Sequence, residues 1–154
     1  MMKREELEAL YAESAAALDD GEFDRWVGYF ADECSYTITT KENFDRGWPI
    51  GLLSCETRGM LLDRIAAVQK TLYYIPRIQR RIQSGILITG TEGALTRSRG
   101  SFAVFETRVG EHTSLFAAGR FLDTVCRQGE SLKFAKRLCI LDASLVPNSL
   151  PFPI

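Results

Sequence analysis

The sequence predicts a single α+β domain in which helices gather on one face of a mainly antiparallel sheet. Three observations carry that prediction. Apolar residues recur at helical spacing through the first 72 positions. From residue 77 onward, four segments alternate apolar and polar residues with a period of two, joined by short polar or glycine-bearing turns. No repeat or linker interrupts the 154 residues, a length that buries roughly two-thirds of its unfolded surface around one core. Residues 1–154 are therefore expected to form one domain.

Leu7, Leu10, Tyr11, Ser14 and Leu18 mark the inner face of a first helix over 4–18, with alanines 15–17 favouring close packing. Asp19-Asp20-Gly21 ends it. Asp20 is expected to cap a second helix, whose Phe23, Trp26, Val27 and Phe30 fall at i, i+3, i+4 and i+7. Residues 34–40 are β-branched and alternating, which predicts a first strand. The connection from Lys41 to Ser54 is long enough to suggest a functional or interface-forming segment. Thr57 is placed to cap a third helix with Leu61, Ile65, Val68 and Leu72 on one face, closed by Pro76.

The alternation then assigns faces strand by strand. Ile82, Ile86 and Ile88 share one face of the first meander strand, and Ala103 and Phe105 oppose Glu106 and Arg108 in the second. The third strand, with Leu115, Ala117 and Phe121 against Phe116, Ala118 and Leu122, is expected to be buried on both faces. Leu132, Phe134, Leu138 and Ile140 define the inward side of the fourth.

Composition narrows the function classes. With 19 basic and 20 acidic residues the net charge is -1, so no global field draws the chain to nucleic acid or to an anionic membrane. No apolar run approaches a bilayer span and the start turns acidic, so a cytoplasmic protein is expected. Cys34, Cys55, Cys126 and Cys139 stand singly, without a C-x-x-C pair, and are expected to be free thiols. His112 is the only histidine. A Rieske cluster needs two histidines with two cysteines, and a mononuclear non-haem iron site needs two histidines and a carboxylate, so one copy of this chain builds neither. His112 follows Gly110-Glu111 between two strand patterns, where a solvated hairpin tip is expected rather than a catalytic base. No glycine-rich phosphate cradle is present, and Arg77, Arg80 and Arg81 read as a solvated or interface-facing strand end.

Several strings resemble the small subunits of Rieske-type aromatic-ring-hydroxylating oxygenases. They are Tyr11-Ala-Glu-Ser, Leu18-Asp19-Asp20-Gly21, Trp26 to Phe30, Tyr36-Thr-Ile, Met60-Leu-Leu-Asp-Arg-Ile65 and Pro147-Asn148-Ser149-Leu150, with the order of elements around them. Glu42-Asn43-Phe44-Asp45-Arg46-Gly47 looks most like subunits acting with salicylate, anthranilate or terephthalate. Where such subunits often begin the strand after the third helix with Arg-His, this chain has Arg80-Arg81. The resemblance implies a nuclear-transport-factor-2-like (cystatin-like) cone with three N-terminal helices on a strongly curved sheet. It also implies no catalytic residue, cofactor or metal in this chain. A large subunit would carry the 2Fe-2S cluster and Fe(II), with electrons from NAD(P)H through a reductase. The expected assembly is a trimer, three large plus three small subunits.

Subunit contacts are expected at Asp63 and Arg64 on the third helix, at Arg80 and Arg81, and at Leu150, Phe152 and Ile154 of a proline-rich tail predicted to pack across a subunit boundary. The rival from another class is a small isomerase, dehydratase or ligand-binding protein of the same fold. Its candidate groups are Tyr11, Tyr36, Arg120 and Asp123, although Arg120 and Asp123 have opposite parity in their strand and so cannot both point inward.

Overall fold

A computed structural model describes residues 1–70, 76–145 and 153–154. Among the described residues, helix α1 spans Arg4–Asp19, α2 Phe23–Val27, α3 Lys41–Asp45 and α4 Arg58–Lys70. The strands are β1 Phe30–Thr40, β2 Leu53–Cys55, β3 Arg77–Glu92, β4 Leu95–Arg108, β5 Ser114–Gln128 and β6 Ser131–Leu141. They form one sheet in the order β2-β1-β6-β5-β4-β3. The β3–β6 meander is antiparallel as its turns predict, but β1 joins β6 in parallel, so the sheet is mixed.

Local chemistry explains most boundaries. Thr57 caps α4, its Oγ1 accepting from the Met60 N–H at 3.1 Å. Leu61, Ile65 and Val68 face the core from that helix, while Leu72 lies outside the described residues. Asp20 does not cap α2. Its N–H closes α1 on the Ala16 carbonyl at 2.9 Å, and Gly21, at φ 71°, reverses the chain before Glu22 starts the next helix. The 41–54 connection is not bare loop either: Thr40 Oγ1 accepts from the Asn43 N–H and starts the single turn α3, a fourth helix beyond the three expected.

The core is a chain of edge-to-face rings. Trp26 meets Phe30 and Tyr36 at centroid separations of 4.9 and 5.2 Å, and Tyr11 meets Phe134 at 5.5 Å. Helix α1 lies along β3 and closes the concave side of the sheet over this cluster.

Strand faces differ from expectation at the irregularities. In β3 the ladder shifts between Ser84 and Leu87, where Gly85 takes φ 65°. Gln79 and Arg81 therefore face inward before the shift and Ile86 after it, so Ile82 stands on the opposite face, while Ile88 shares Ile86's face opposite buried Ser98 but is 41% exposed. In β4 the inward residues are Phe102, Val104 and Glu106, so Ala103 and Phe105 stand outside and the carboxylate is the buried group. Two ion pairs and a hydrogen bond stabilise that inversion, because Glu106 accepts from Arg77 at 3.1 Å and Arg108 at 2.9 Å, and from the Gln79 amide at 3.1 Å. In β6 a shift opposite Thr124 and Val125 brings Arg137 and Cys139 inward in place of Leu138. Strand β5 is buried inward at Phe121, Asp123 and Val125 and only half-buried outward, with Leu115 exposed.

Candidate functional site

The cone interior gathers four polar side chains from four elements: Tyr11 of α1, Ser98 of β4, Asp123 of β5 and Arg137 of β6. Tyr11 Oη donates to Asp123 Oδ2 in a short hydrogen bond and lies 3.1 Å from Ser98 Oγ. Arg137 Nε stands 3.7 Å from the same carboxylate. The guanidinium is boxed by rings, its central carbon 3.7 Å from the Phe121 centroid, 4.4 Å from Phe134 and 5.0 Å from Tyr11. Burial pushes the Asp123 carboxyl up to about 6, against the opposing pull of Arg137, and raises the Tyr11 hydroxyl well above its ordinary value.

A tyrosine and a carboxylate in contact are chemically able to pass a proton to a substrate. Here no dissolved substrate reaches them, since Tyr11 is 1%, Asp123 3% and Arg137 2% exposed. The guanidinium and its rings fill the interior beside the Asp123 carboxylate. The groove between α1 and β3, about 540 Å³, is lined by Tyr11, Ala12, Ala15, Arg81 and Ile86 and does not reach Asp123 or Arg137. The polar cluster is thus part of the packed core.

Asp123 has a folded pKa raised above the unfolded carboxylate value. Its contribution favours the native state fully below about pH 4 and is lost as pH rises through about 6. The wild-type chain is expected to gain stability between pH 7 and pH 5 relative to Asp123→Asn, by on the order of 1 kcal/mol. Parallel denaturant melts at the two pH values measure this; identical pH slopes in the two proteins would refute the assignment.

Of the residues singled out from sequence, Tyr11 and Asp123 do meet. Tyr36 lies in the same core but turns its hydroxyl to the Ile154 backbone and not to Asp123, and Arg120 lies on the outer face with its guanidinium 5.3 Å from the Phe44 ring, as strand parity required. Arg81 was expected at a subunit contact, but its side chain is buried inside this chain. It donates to Asp19 Oδ1 at 2.8 Å and to the Pro153 carbonyl at 2.6 Å, because its inward parity in β3 aims it at the end of α1. Arg80, of opposite parity, is exposed.

Ile154, expected across a boundary, is buried in its own chain. Its N–H donates to Tyr36 Oη at 2.8 Å, and that hydroxyl lies 3.1 Å from the Ile154 carbonyl. Leu150 and Phe152 lie outside the described residues. Asp63 is exposed on α4, Arg64 is half-buried, and His112 is exposed in the β4–β5 turn. Sequence reasoning missed Arg137 and Ser98, and the signal available for Arg137 was an arginine directly before the apolar run Leu138–Leu141.

The donor set does not fit an iron centre. The one histidine stands exposed in a hairpin turn, while Cys34, Cys55 and Cys139 are buried as free thiols. No described helix is long and apolar enough to cross a membrane.

A curved sheet closed by helices over a packed interior defines the fold class, an α+β cone. Comparison with known proteins makes this specific. The family model described as ring hydroxylating beta subunit matches residues 13–148, and the chain belongs to that family. It is 31% identical over 137 residues to the anthranilate 1,2-dioxygenase small subunit of Burkholderia cepacia, covering 89% of this chain and 85% of that one. Over the full length of both chains it is 23% identical to subunit beta 2 of the terephthalate 1,2-dioxygenase terminal oxygenase component of Comamonas sp. The crystal structure of a β subunit assigned to an aromatic-ring-hydroxylating dioxygenase of Novosphingobium aromaticivorans superposes with a TM-score of 0.89, at 30% identity, covering 98% of this chain and 96% of that one. The chain is a non-catalytic small subunit of a multicomponent oxygenase, its partner is the large oxygenase subunit, and the cofactors belong to that subunit.

Proposed function

We propose that this chain is the scaffold of a ring-hydroxylating oxygenase of three large and three small subunits, working in the cytoplasm on a carboxylated aromatic. The large subunit carries the Rieske 2Fe-2S cluster and the mononuclear Fe(II), and receives electrons from NAD(P)H through a reductase. The observation that carries the reading is a packed interior together with apolar side chains on the outside. The cone is filled, while large apolar side chains stand outside, with Trp48, Ile50 and Leu52 in the 46–52 segment and Met60 and Leu62 on α4. Exposed Asp63 and half-buried Arg64 sit on the same helix as Met60 and Leu62, so this region, with the tail at Leu150 and Phe152, docks the large subunit. Arg80 supplies a further contact from the outer sheet. The substrate class follows from the relatives named for anthranilate and terephthalate, both aromatic carboxylates.

Co-expression with a large subunit tests this. Iron and ring hydroxylation are expected only in the co-purified complex. Leu62→Asp or Asp63→Arg is expected to reduce co-purification at least tenfold with the melting temperature of this chain unchanged. A visible 2Fe-2S spectrum from the chain alone, or undiminished co-purification of both variants, would overturn the reading.

A further inference from the structure

Strand β3 is an edge of the sheet, and among the described strands it bonds to β4 on one side only. Its other side faces α1 across the groove of about 540 Å³. The Arg81 N–H points to that side, since it donates to both Asp19 carboxylate oxygens at 3.2 Å. Antiparallel pairing turns the N–H and carbonyl of alternate residues the same way, so Gln83 presents both groups to the groove. The neighbouring Ser84 carbonyl fits this alternation: a Cβ added at Gly100 of β4 would stand 3.6 Å from its oxygen, on the opposite side of the strand. Among the described residues nothing bonds the Gln83 N–H or carbonyl. Arg81 Nε and Gln83 Oε1, on the same inward face, are also buried without a hydrogen-bond partner there. One stretch of the groove wall thus holds unmet donors beside unmet acceptors.

The opposite wall is made of small side chains, Ala15 with the exposed Ala12 and Ala16. Gly85 adds no side chain over the groove, and a Cβ built there would meet nothing within 4 Å. A flat ring therefore lies against α1 without obstruction. Both ends carry charges already held in pairs: Arg4 Nε stands 2.7 Å from Glu8 Oε1, and Arg81 Nη1 stands 2.8 Å from Asp19 Oδ1. An anionic ligand would have to draw one of these arginines from its partner. Glu8 and Asp19 are separated by about 16 Å of helix, room for about five residues of extended chain, so a strand running through would have to break a pair as well. An uncharged molecule of bounded length fits, and the volume lies within the range of small-ligand sites.

We infer that the α1–β3 groove is a binding site for an uncharged, flat aromatic molecule that carries a hydrogen-bond acceptor beside a donor, as in an aromatic carboxamide or lactam. The acceptor takes the Gln83 N–H and the donor meets the Gln83 carbonyl, while the ring lies against Ala12, Ala15 and Ala16. This ligand differs in charge from the carboxylated aromatic proposed for the whole oxygenase, and the site does not depend on that proposal.

Titration of the isotope-labelled full chain with naphthamide, followed by amide NMR, tests this. Saturable binding is expected with a dissociation constant at or below about 1 mM, the value for a ligand of this size at modest efficiency. The largest shifts should fall at Ala12, Ala16, Gln83 and Gly85. Naphthoate, of the same shape but charged, and N,N-dimethylnaphthamide, which lacks the donor, are each expected to bind at least tenfold more weakly. Ala12→Phe with Ala16→Phe, at exposed positions where a larger side chain does not strain the core, fills the groove. That variant should lose at least tenfold in affinity with its melting temperature unchanged. Gln83→Pro removes an N–H that the β4 ladder does not use and should weaken binding as much; if it fails to fold, the alanine variant decides alone. No saturable binding, shifts confined to other surfaces, naphthoate or the dimethyl amide binding as tightly as naphthamide, or affinity untouched by filling the groove would each overturn the inference. A peptide of alternating valine and threonine that shifts the Gln83 amide where naphthamide does not would assign the groove to a polypeptide and overturn it too. Because the chain is measured without a large subunit, none of these results bears on the scaffold reading.

Discussion

Replacing Gly119 with alanine is expected to cost on the order of 3 kcal/mol or more, a large share of the roughly 5 to 15 kcal/mol that keeps a domain folded. Gly119 sits in β5, and a Cβ built there would stand 2.0 Å from the Ile140 carbonyl oxygen and 2.9 Å from its carbon. Both atoms are backbone in the neighbouring strand, so relief requires parting β5 from β6, which also holds β1. Gly100 supplies the contrast. Its added Cβ would meet the end of the Ile86 side chain at 2.6 Å, and that δ-methyl can turn away. Gly100→Ala is expected to cost about 1 kcal/mol, toward the lower end for overpacking. Denaturant melts of the two variants measure the difference; equal costs, or a Gly119→Ala loss below 1 kcal/mol, would contradict the geometry.

Arg137→Met is expected to destabilise the fold by about 3 to 5 kcal/mol, the range for stranding one partner of a buried ion pair. Methionine keeps much of the stem that packs among Phe121, Phe134 and Tyr11, so the loss isolates the charge. Asp123 is left in the core with its hydrogen bonds to Tyr11 and the Leu138 backbone but without its cation. The double variant Arg137→Met, Asp123→Leu should recover much of this, since an apolar pair replaces a charge that burial penalises. The single variant should also gain more stability than wild type between pH 7 and pH 5, because Asp123 without Arg137 binds its proton more readily. Failure of the double variant to recover would mean that Arg137 contributes packing and not charge.

The two positions also mark where reading along the chain stops working. The amino-acid sequence by itself determined the α+β class, the helix starting after Thr57, the four-strand meander and the absence of an iron-binding donor set. Each depends on residues near in sequence or on a count: helical spacing of Leu61, Ile65 and Val68, a period of two between turns, a single histidine. The family was legible as well, in strings such as Leu18-Asp19-Asp20-Gly21 and Tyr36-Thr-Ile.

Only the tertiary structure decided which way each strand faces, and with it the character of the cone. A single extra residue inverts every side chain beyond it, so the shifts at Gly85 and opposite Thr124–Val125 exposed Ile82 and turned Arg137 inward. The same holds for Ile154 and Arg81, whose partners Tyr36 and Asp19 lie 118 and 62 positions away. The parallel seat of β1 beside β6 likewise comes from elements brought together across the whole chain. Local patterns carry no record of such contacts, because burial and pairing depend on what the rest of the fold places opposite.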